Sequence, residues 1–253
     1  MLGNLLKRLS GIKSDDLTYP RLPREVTVYV IGDIHGCLDP LSHTLKAIDT
    51  DIERTRPHYS AEIYLGDYVD RGPDSAGVLE CLIQRQKIRR MIFIKGNHDE
   101  MFEDFISGTR ALTDWLPYGG GETLRSYGAT AEQIASNSEE IRHLVPAHHL
   151  SFLSHCEPSF QIEDYFFTHA GVKPGITLNS QARADLMWIR EEFLNYRGNF
   201  GAIIVHGHSP VVEAEFKPNR IGIDTGAYMT GHLCCLRIDG NGPHILPRPE
   251  LPS

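Results

Sequence analysis

Three apolar segments, each running into a glycine-led group of polar residues, restrict the fold of this chain more than any other feature. Val26-Thr27-Val28-Tyr29-Val30-Ile31 leads into Gly32-Asp33-Ile34-His35-Gly36, and Ile63-Tyr64-Leu65 leads into Gly66-Asp67-Tyr68-Val69-Asp70-Arg71-Gly72. Met91-Ile92-Phe93-Ile94 leads toward Gly96-Asn97-His98-Asp99. The first run is β-branched and almost continuous, the pattern of a strand buried on both faces. Between the runs, Pro40 suits a helix first turn and Leu41, Leu45 and Ile48 recur at helical spacing, as do Val78, Leu79 and Leu82 after the second run. The plan is βαβαβ. Asp33, Asp67 and Asn97 are 34 and 30 residues apart, each about one such unit, so neighbouring strands bring the three groups together at the carboxyl edge of a parallel sheet.

The remainder of the 253 residues supports one α/β domain, 1–253. From Glu100 to about Cys156 the pattern is helical, broken at Gly119-Gly120-Gly121, and predicts an inserted helical lobe over about 100–156 that walls the site. Beyond it, Tyr165-Phe166-Phe167, Ala202-Ile203-Ile204-Val205, Ile221-Gly222-Ile223 and Leu233-Cys234-Cys235-Leu236 predict short strands of a second sheet packed on the first. A helix over Ala182–Tyr196 separates the first two. The N-terminal 1–22, with a short amphipathic turn in Met1–Leu9, and the Pro-rich 243–253 are expected to be peripheral.

Composition narrows the function. Hydrophobic residues make up 41% and charged residues 23%, the balance of a soluble globular protein. The net charge of −8 comes without any long Lys/Arg block, so neither nucleic acid nor a membrane surface is an expected partner. Asn4, Lys7 and Arg8 interrupt the apolar N-terminus before a secretory segment can form, and no run approaches the ~20 apolar residues that cross a bilayer. The five cysteines, Cys37, Cys81, Cys156, Cys234 and Cys235, are scattered without a CxxC pair and read as reduced thiols. A cytoplasmic enzyme is the expectation.

In an extended segment residues two apart point to the same side, so Asp33 and His35 can face one ion, and the flanking glycines let the backbone turn sharply. Carboxylate, imidazole and amide donors together suit divalent manganese, iron or zinc, whereas calcium prefers oxygen alone. A hydrolytic pair of ions is the natural use. One Asp-x-His is weak; three motifs in order at these intervals are strong.

GDxHG, GDxxDRG and GNHD in this order resemble the phosphoprotein phosphatase family of the metallophosphoesterase superfamily. The resemblance continues through Thr168-His169-Ala170-Gly171 and Val205-His206-Gly207-His208-Ser209 and covers most of Val26–Leu236. Gly120-Gly121-Glu122-Thr123-Leu124-Arg125-Ser126-Tyr127, Met187-Trp188-Ile189-Arg190 and Asp224-Thr225-Gly226-Ala227 are similar to the bacterial and phage branch. The fold it implies is two mixed β-sheets packed as a central sandwich flanked by helices. It implies one metal held by Asp33, His35 and Asp67, and a second held by Asp67, Asn97, His169 and His208, with Asp67 bridging. Manganese is the first choice, with iron or zinc as alternatives.

The resemblance further implies in-line attack by a hydroxide bridging the two ions, with His98 protonating the leaving oxygen, Asp70 holding its imidazole, and Arg71 and Arg190 clamping the phosphoryl group. For Arg190 a surface ion pair with Glu191 or Glu192 is the alternative, and His206 is expected to be packed or to support a ligand from outside. His169 alone would read as a core histidine; its five expected companions reverse that. Asp39, His43, His148, His149 and His155 have no such partners, and adjacent His148 and His149 on a helix are expected to point apart rather than share an ion. The function implied is hydrolysis of phosphoserine or phosphothreonine in a protein or peptide, with phosphotyrosine a further candidate. The alternatives are a dinucleoside polyphosphate hydrolase, such as a diadenosine tetraphosphatase, and a catalytically inactive metal-binding scaffold. Intact Asp70-Arg71-Gly72-Pro73 argues against the first alternative, because the symmetrical diadenosine tetraphosphatases usually alter the position of Asp70.

Overall fold

The computed structural model describes residues 17–247, so the turn expected in Met1–Leu9 lies outside the described residues. Strand β1 (Val26–Ile31) and helix α1 (Leu38–Thr55) are followed by β2 (Tyr59–Tyr64), α2 (Ser75–Arg85) and β3 (Met91–Phe93). The stretch that follows holds α3 (Asn97–Ser107), α4 (Leu112–Trp115), α5 (Gly120–Ser126), α6 (Ala131–Ala135) and α7 (Ala147–Ser154). Then come β4 (Ser159–Ile162), β5 (Tyr165–Thr168), α8 (Arg183–Trp188), α9 (Glu191–Leu194), β6 (Ile203–His206), β7 (Glu215–Lys217), β8 (Arg220–Gly222), α10 (Ala227–Thr230), β9 (Cys235–Asp239) and β10 (Gly242–Ile245).

The strands form two mixed five-stranded sheets, in the orders β10-β9-β1-β2-β3 and β4-β5-β6-β8-β7. In the first, β1, β2 and β3 are parallel and β9 and β10 antiparallel; in the second, β5, β6 and β8 are parallel with an antiparallel strand at each edge. The alternation along β1 explains its unbroken hydrophobicity. Val28 and Val30 face the second sheet, in one core with Ile63, Tyr165, Val205 and Ile221, while Tyr29 and Ile31 face α1 and the helical lobe. Helix α1 buries Leu41, Leu45 and Ile48 as its spacing predicts, and α8 and α9 cover the far face of the second sheet through Leu186 and Phe193. Among the described residues no helix is long and apolar enough to cross a membrane.

Four expectations are corrected. The run Leu233–Leu236 does not join the second sheet: β9 pairs antiparallel with β1, Ile31 opposite Cys235 and Val28 opposite Ile238, which turns Leu236 and Ile238 into the core between the sheets. Pro243–Ile245, expected in a peripheral tail, instead lies in β10 (Gly242–Ile245) on the open edge of β9, where Pro243 can lack its N–H. At the other end, Leu22 is buried and donates its N–H to the Asp239 carbonyl at 3.1 Å, so the stretch just before β1 is packed rather than peripheral. The helix expected over 182–196 is two short ones, α8 and α9, separated by extended Ile189 and by Arg190. Strands β4 and β7 carry no strong apolar signal and are only partly buried.

Candidate metal centre and active site

The parallel strands of both sheets deliver their carboxyl ends to one rim. Asp33 follows β1, Asp67 follows β2 and Asn97 opens α3 beyond β3; His169 follows β5, His208 follows β6 and Asp224 follows β8. The two sheets are joined there by the His208 N–H, which donates to Asp33 Oδ2 at 3.0 Å, while the Gly207 N–H, donating to the His169 carbonyl at 2.8 Å, ties the ends of β6 and β5 together within the second sheet. All six expected metal ligands are buried and lie along this rim. Among the described residues, five of the eight non-glycine residues with positive φ belong to the expected site: His35, Asp67, Asp70, Arg71 and His208. Such backbone costs of order 1–3 kcal/mol per residue and persists where the surroundings over-determine it. Gly96 and Gly207 are required here, because a Cβ on either would collide with Asp67 Oδ1 or Asp33 Oδ1 respectively.

Several acceptors at this rim face one another. His35 Nδ1 donates to the Val69 carbonyl at 3.0 Å, and burial pushes its pKa down to about 3, so it is neutral with a lone pair on Nε2. That lone pair faces Asp67 Oδ2 at 3.4 Å. His169, its pKa lowered by burial, likewise donates through Nδ1 to the Leu65 carbonyl at 2.8 Å. Its Nε2 then faces Asn97 Oδ1 at 2.8 Å and Asp67 Oδ1 at 3.4 Å. Asp33 Oδ1 is buried with no hydrogen-bond partner. Burial, then the Asp224 and Asp67 carboxylates, pushes Asp33 well above the usual carboxylate range, and burial foremost takes Asp224 up to about 6. Facing lone pairs and crowded carboxylates are the donor set of a divalent cation, and Asp67 offers one oxygen to each side. At His208, Arg190 Nε donates to Nε2 at 3.1 Å, which leaves Nδ1 as the nitrogen open to a metal.

Beside the ligands, His98 is held between Asp70 and Arg71. His98 Nδ1 lies 2.8 Å from Asp70 Oδ2 and its Nε2 lies 3.1 Å from Arg71 Nη2. Burial opposes the charged imidazole, but the carboxylates of Asp67 and Asp70 outweigh it and raise the His98 pKa. Asp70 is held by donors from the helical lobe: Trp115 Nε1 to Oδ2 and Thr123 Oγ1 to Oδ1, both at 2.8 Å. The lobe thus walls the site and also orients its carboxylate. Arg71 donates through Nη1 to the Tyr228 hydroxyl at 2.8 Å and lies 4.7 Å from the centre of that ring. The Gly119-Gly120-Gly121 break has two jobs here. Gly119, at φ 104°, accepts from the Arg71 N–H at 3.4 Å, and Gly120 leaves room for the Trp115 indole.

Sequence reasoning missed Asp99, whose carboxylate accepts the N–H groups of Asp67, Tyr68 and Gly96 at 2.8, 2.9 and 2.9 Å and so ties the second motif loop to the third. It also missed Trp115 and Tyr228; a lone aromatic in a helix carries no signal in sequence. Arg190 faces His208 rather than Glu191 or Glu192. His206 points into the second sheet, its Nε2 3.3 Å from Arg220 Nη1 and its ring edge-on to Phe193. A second group converges away from the rim. His148 Nε2 and His149 Nε2 lie 3.0 and 3.3 Å from Glu80 Oε2, contrary to the expectation that adjacent histidines diverge.

Residues 26–236 match the calcineurin-like phosphoesterase family. The chain is 32% identical over 216 residues to serine/threonine-protein phosphatase 1 of Salmonella typhimurium, covering 83% of this chain and 91% of that one. It is 24% identical over 231 residues to the asymmetrical bis(5'-nucleosyl)-tetraphosphatase PrpE of Anoxybacillus flavithermus, covering 82% and 89%. Among solved structures, one provisionally described as a diadenosine tetraphosphatase superposes with a TM-score of 0.63 at 21% identity, over 93% of this chain and 100% of that one, a likeness of fold.

Proposed function

The chain belongs to the calcineurin-like phosphoesterase family, and from that membership we propose that it is a metal-dependent phosphatase of phosphoserine and phosphothreonine in proteins. The supporting observation is the intact pair Asp70–His98 beside crowded metal-type ligands that include the unpartnered Asp33 Oδ1, in a chain that is 32% identical to a bacterial serine/threonine phosphatase across 91% of that protein's length. Asp33, His35 and Asp67 would hold one divalent ion and Asp67, Asn97, His169 and His208 a second, manganese before iron or zinc. When bound, such ions neutralise phosphoryl oxygens and lower the pKa of water to make a nucleophile.

The remaining work falls to this chain's own side chains. Arg71 and Arg190 flank the rim from opposite sheets, and their planar forks suit two oxygens of one phosphoryl group. Arg71 donates to His98 Nε2, an arrangement that requires that nitrogen to be unprotonated. A phosphoryl group that draws the guanidinium away frees Nε2 to take a proton, which the Asp70 carboxylate at Nδ1 favours. His98 then delivers that proton to the serine or threonine oxygen as the ester bond breaks. Asp70 is a positioning residue, and Trp115 and Thr123 keep its two oxygens fixed.

The second reading, a dinucleoside polyphosphate hydrolase, has one specific support: a tetraphosphatase relative aligns over 82% of this chain. Measuring kcat/KM on a phosphoserine peptide and on diadenosine tetraphosphate side by side separates the two. The phosphatase reading expects the peptide to be the better substrate; a preference for the dinucleotide replaces it.

A further inference from the structure

Helix α2 and helix α7 meet at the second group of metal-type donors, away from the rim, that the phosphatase reading leaves unused. Glu80 lies on the outer face of α2, and His148 and His149 lie in the first turn of α7. A turn of about 100° separates neighbouring helical residues, which is why the pair is expected to diverge. Here the reach of the imidazoles overcomes it. His149 points inward and is buried, His148 stays half exposed, and their rings meet edge to face with centroids 4.5 Å apart. Both Nε2 atoms close on the same carboxylate oxygen, Glu80 Oε2, at 3.0 and 3.3 Å.

We propose that Glu80, His148 and His149 form a separate site for one divalent cation of the zinc class, clamping α2 to α7. Zinc takes nitrogen and oxygen ligands at about 2.0–2.1 Å, so two ligands of a tetrahedron stand roughly 3.3 Å apart, close to the spacing found here. His149 is already oriented as a ligand needs: its other nitrogen, Nδ1, lies 2.8 Å from the Tyr127 hydroxyl, the kind of outer partner that fixes a metal-binding ring. Glu80 is held in turn by Gln84, whose Nε2 donates to Oε1 at 2.5 Å. Three protein donors leave a fourth position for water or a small anion.

The site is distinct from the rim around Asp67 and does not depend on the substrate. The test uses the metal-loaded protein and the variants Glu80→Gln and His148→Asn, both at half-exposed side chains outside the catalytic machinery. Each is equilibrated by dialysis against the same zinc solution at neutral pH and its zinc per chain is measured by elemental analysis. The wild type should hold one zinc more than either variant, whatever number the main centre holds, and phosphopeptide turnover should be unchanged in the variants. Cobalt in place of zinc should add the visible absorption of a four-coordinate ion in the wild type alone. Equal zinc counts in all three proteins would overturn the proposal and leave the triad a hydrogen-bonded brace. Loss of more than one zinc, or of turnover, would overturn it as well, by tying these residues to the main centre.

Discussion

Replacing His98 with Asn removes the proposed proton donor while leaving every proposed metal ligand in place. The imidazole is pinned between Asp70 at 2.8 Å and Arg71 at 3.1 Å, so Asn, which is shorter, cannot bring a donor to the same point. Its backbone N–H, which donates to Asp67 Oδ1 at 3.0 Å, is unaffected, so the centre should keep its metal. General acid catalysis is worth roughly 10²–10⁴-fold where the leaving group needs a proton, or about 3–5 kcal/mol at 1.36 kcal/mol per tenfold. A serine alkoxide needs it; para-nitrophenolate leaves with little help. Turnover on a phosphoserine peptide should therefore fall by about 10²–10⁴-fold, and on para-nitrophenyl phosphate by less than about tenfold. Asp70→Asn should show the same dependence more weakly. Its amide oxygen can still accept from His98 and Trp115 if the NH2 faces Thr123, but the charge that favours imidazolium is gone. The assay is steady-state kinetics on both substrates with metal content confirmed. An equal loss on the two substrates in His98→Asn would refute the general-acid role and make His98 a phosphate-binding or structural group.

Asp67→Ala should lower metal content more than Asn97→Ala, since Asp67 presents one oxygen to each side of the centre and carries charge that offsets repulsion between dications; equal occupancy by elemental analysis would count against bridging. Arg85→Ala should destabilise the fold by about 3–5 kcal/mol, because it leaves Glu62, paired to it at 2.7 Å and buried on β2, as an uncompensated charge. Urea unfolding checks this, and a loss under about 1 kcal/mol would mean that Tyr64, which donates to Glu62 at 2.6 Å, suffices for that carboxylate.

What was legible in the sequence follows from how each signal arises. β1 reads clearly because both its faces are buried, so Val28 and Tyr29 alike must be apolar, and the glycine-led motifs stand out because each strand ends at the same rim. The destination of β9 did not read, because an antiparallel strand with one apolar face fits either sheet and only its register against β1 decides. The break at Arg190 was invisible, since neither Gly nor Pro marks it and the chain turns there so that the guanidinium meets His208. Trp115 and Thr123 reach Asp70 from 45 and 53 residues away, a separation over which local pattern says nothing. The convergence of His148 and His149 is not legible because helical periodicity gives the directions of the Cα–Cβ bonds, whereas the length of the imidazole side chains lets both rings reach Glu80.

Anomalous diffraction from crystals of the protein equilibrated with manganese bears most directly on the centre itself. Two peaks are expected at the rim: one among Asp33, His35 and Asp67, the other among Asp67, Asn97, His169 and His208, with His98 free of metal and against Asp70. His35, Asp67 and His98 also stand close enough to hold an ion together, and a manganese ligated by His98 would contradict the assignment, for a ligand imidazole cannot be the proton donor.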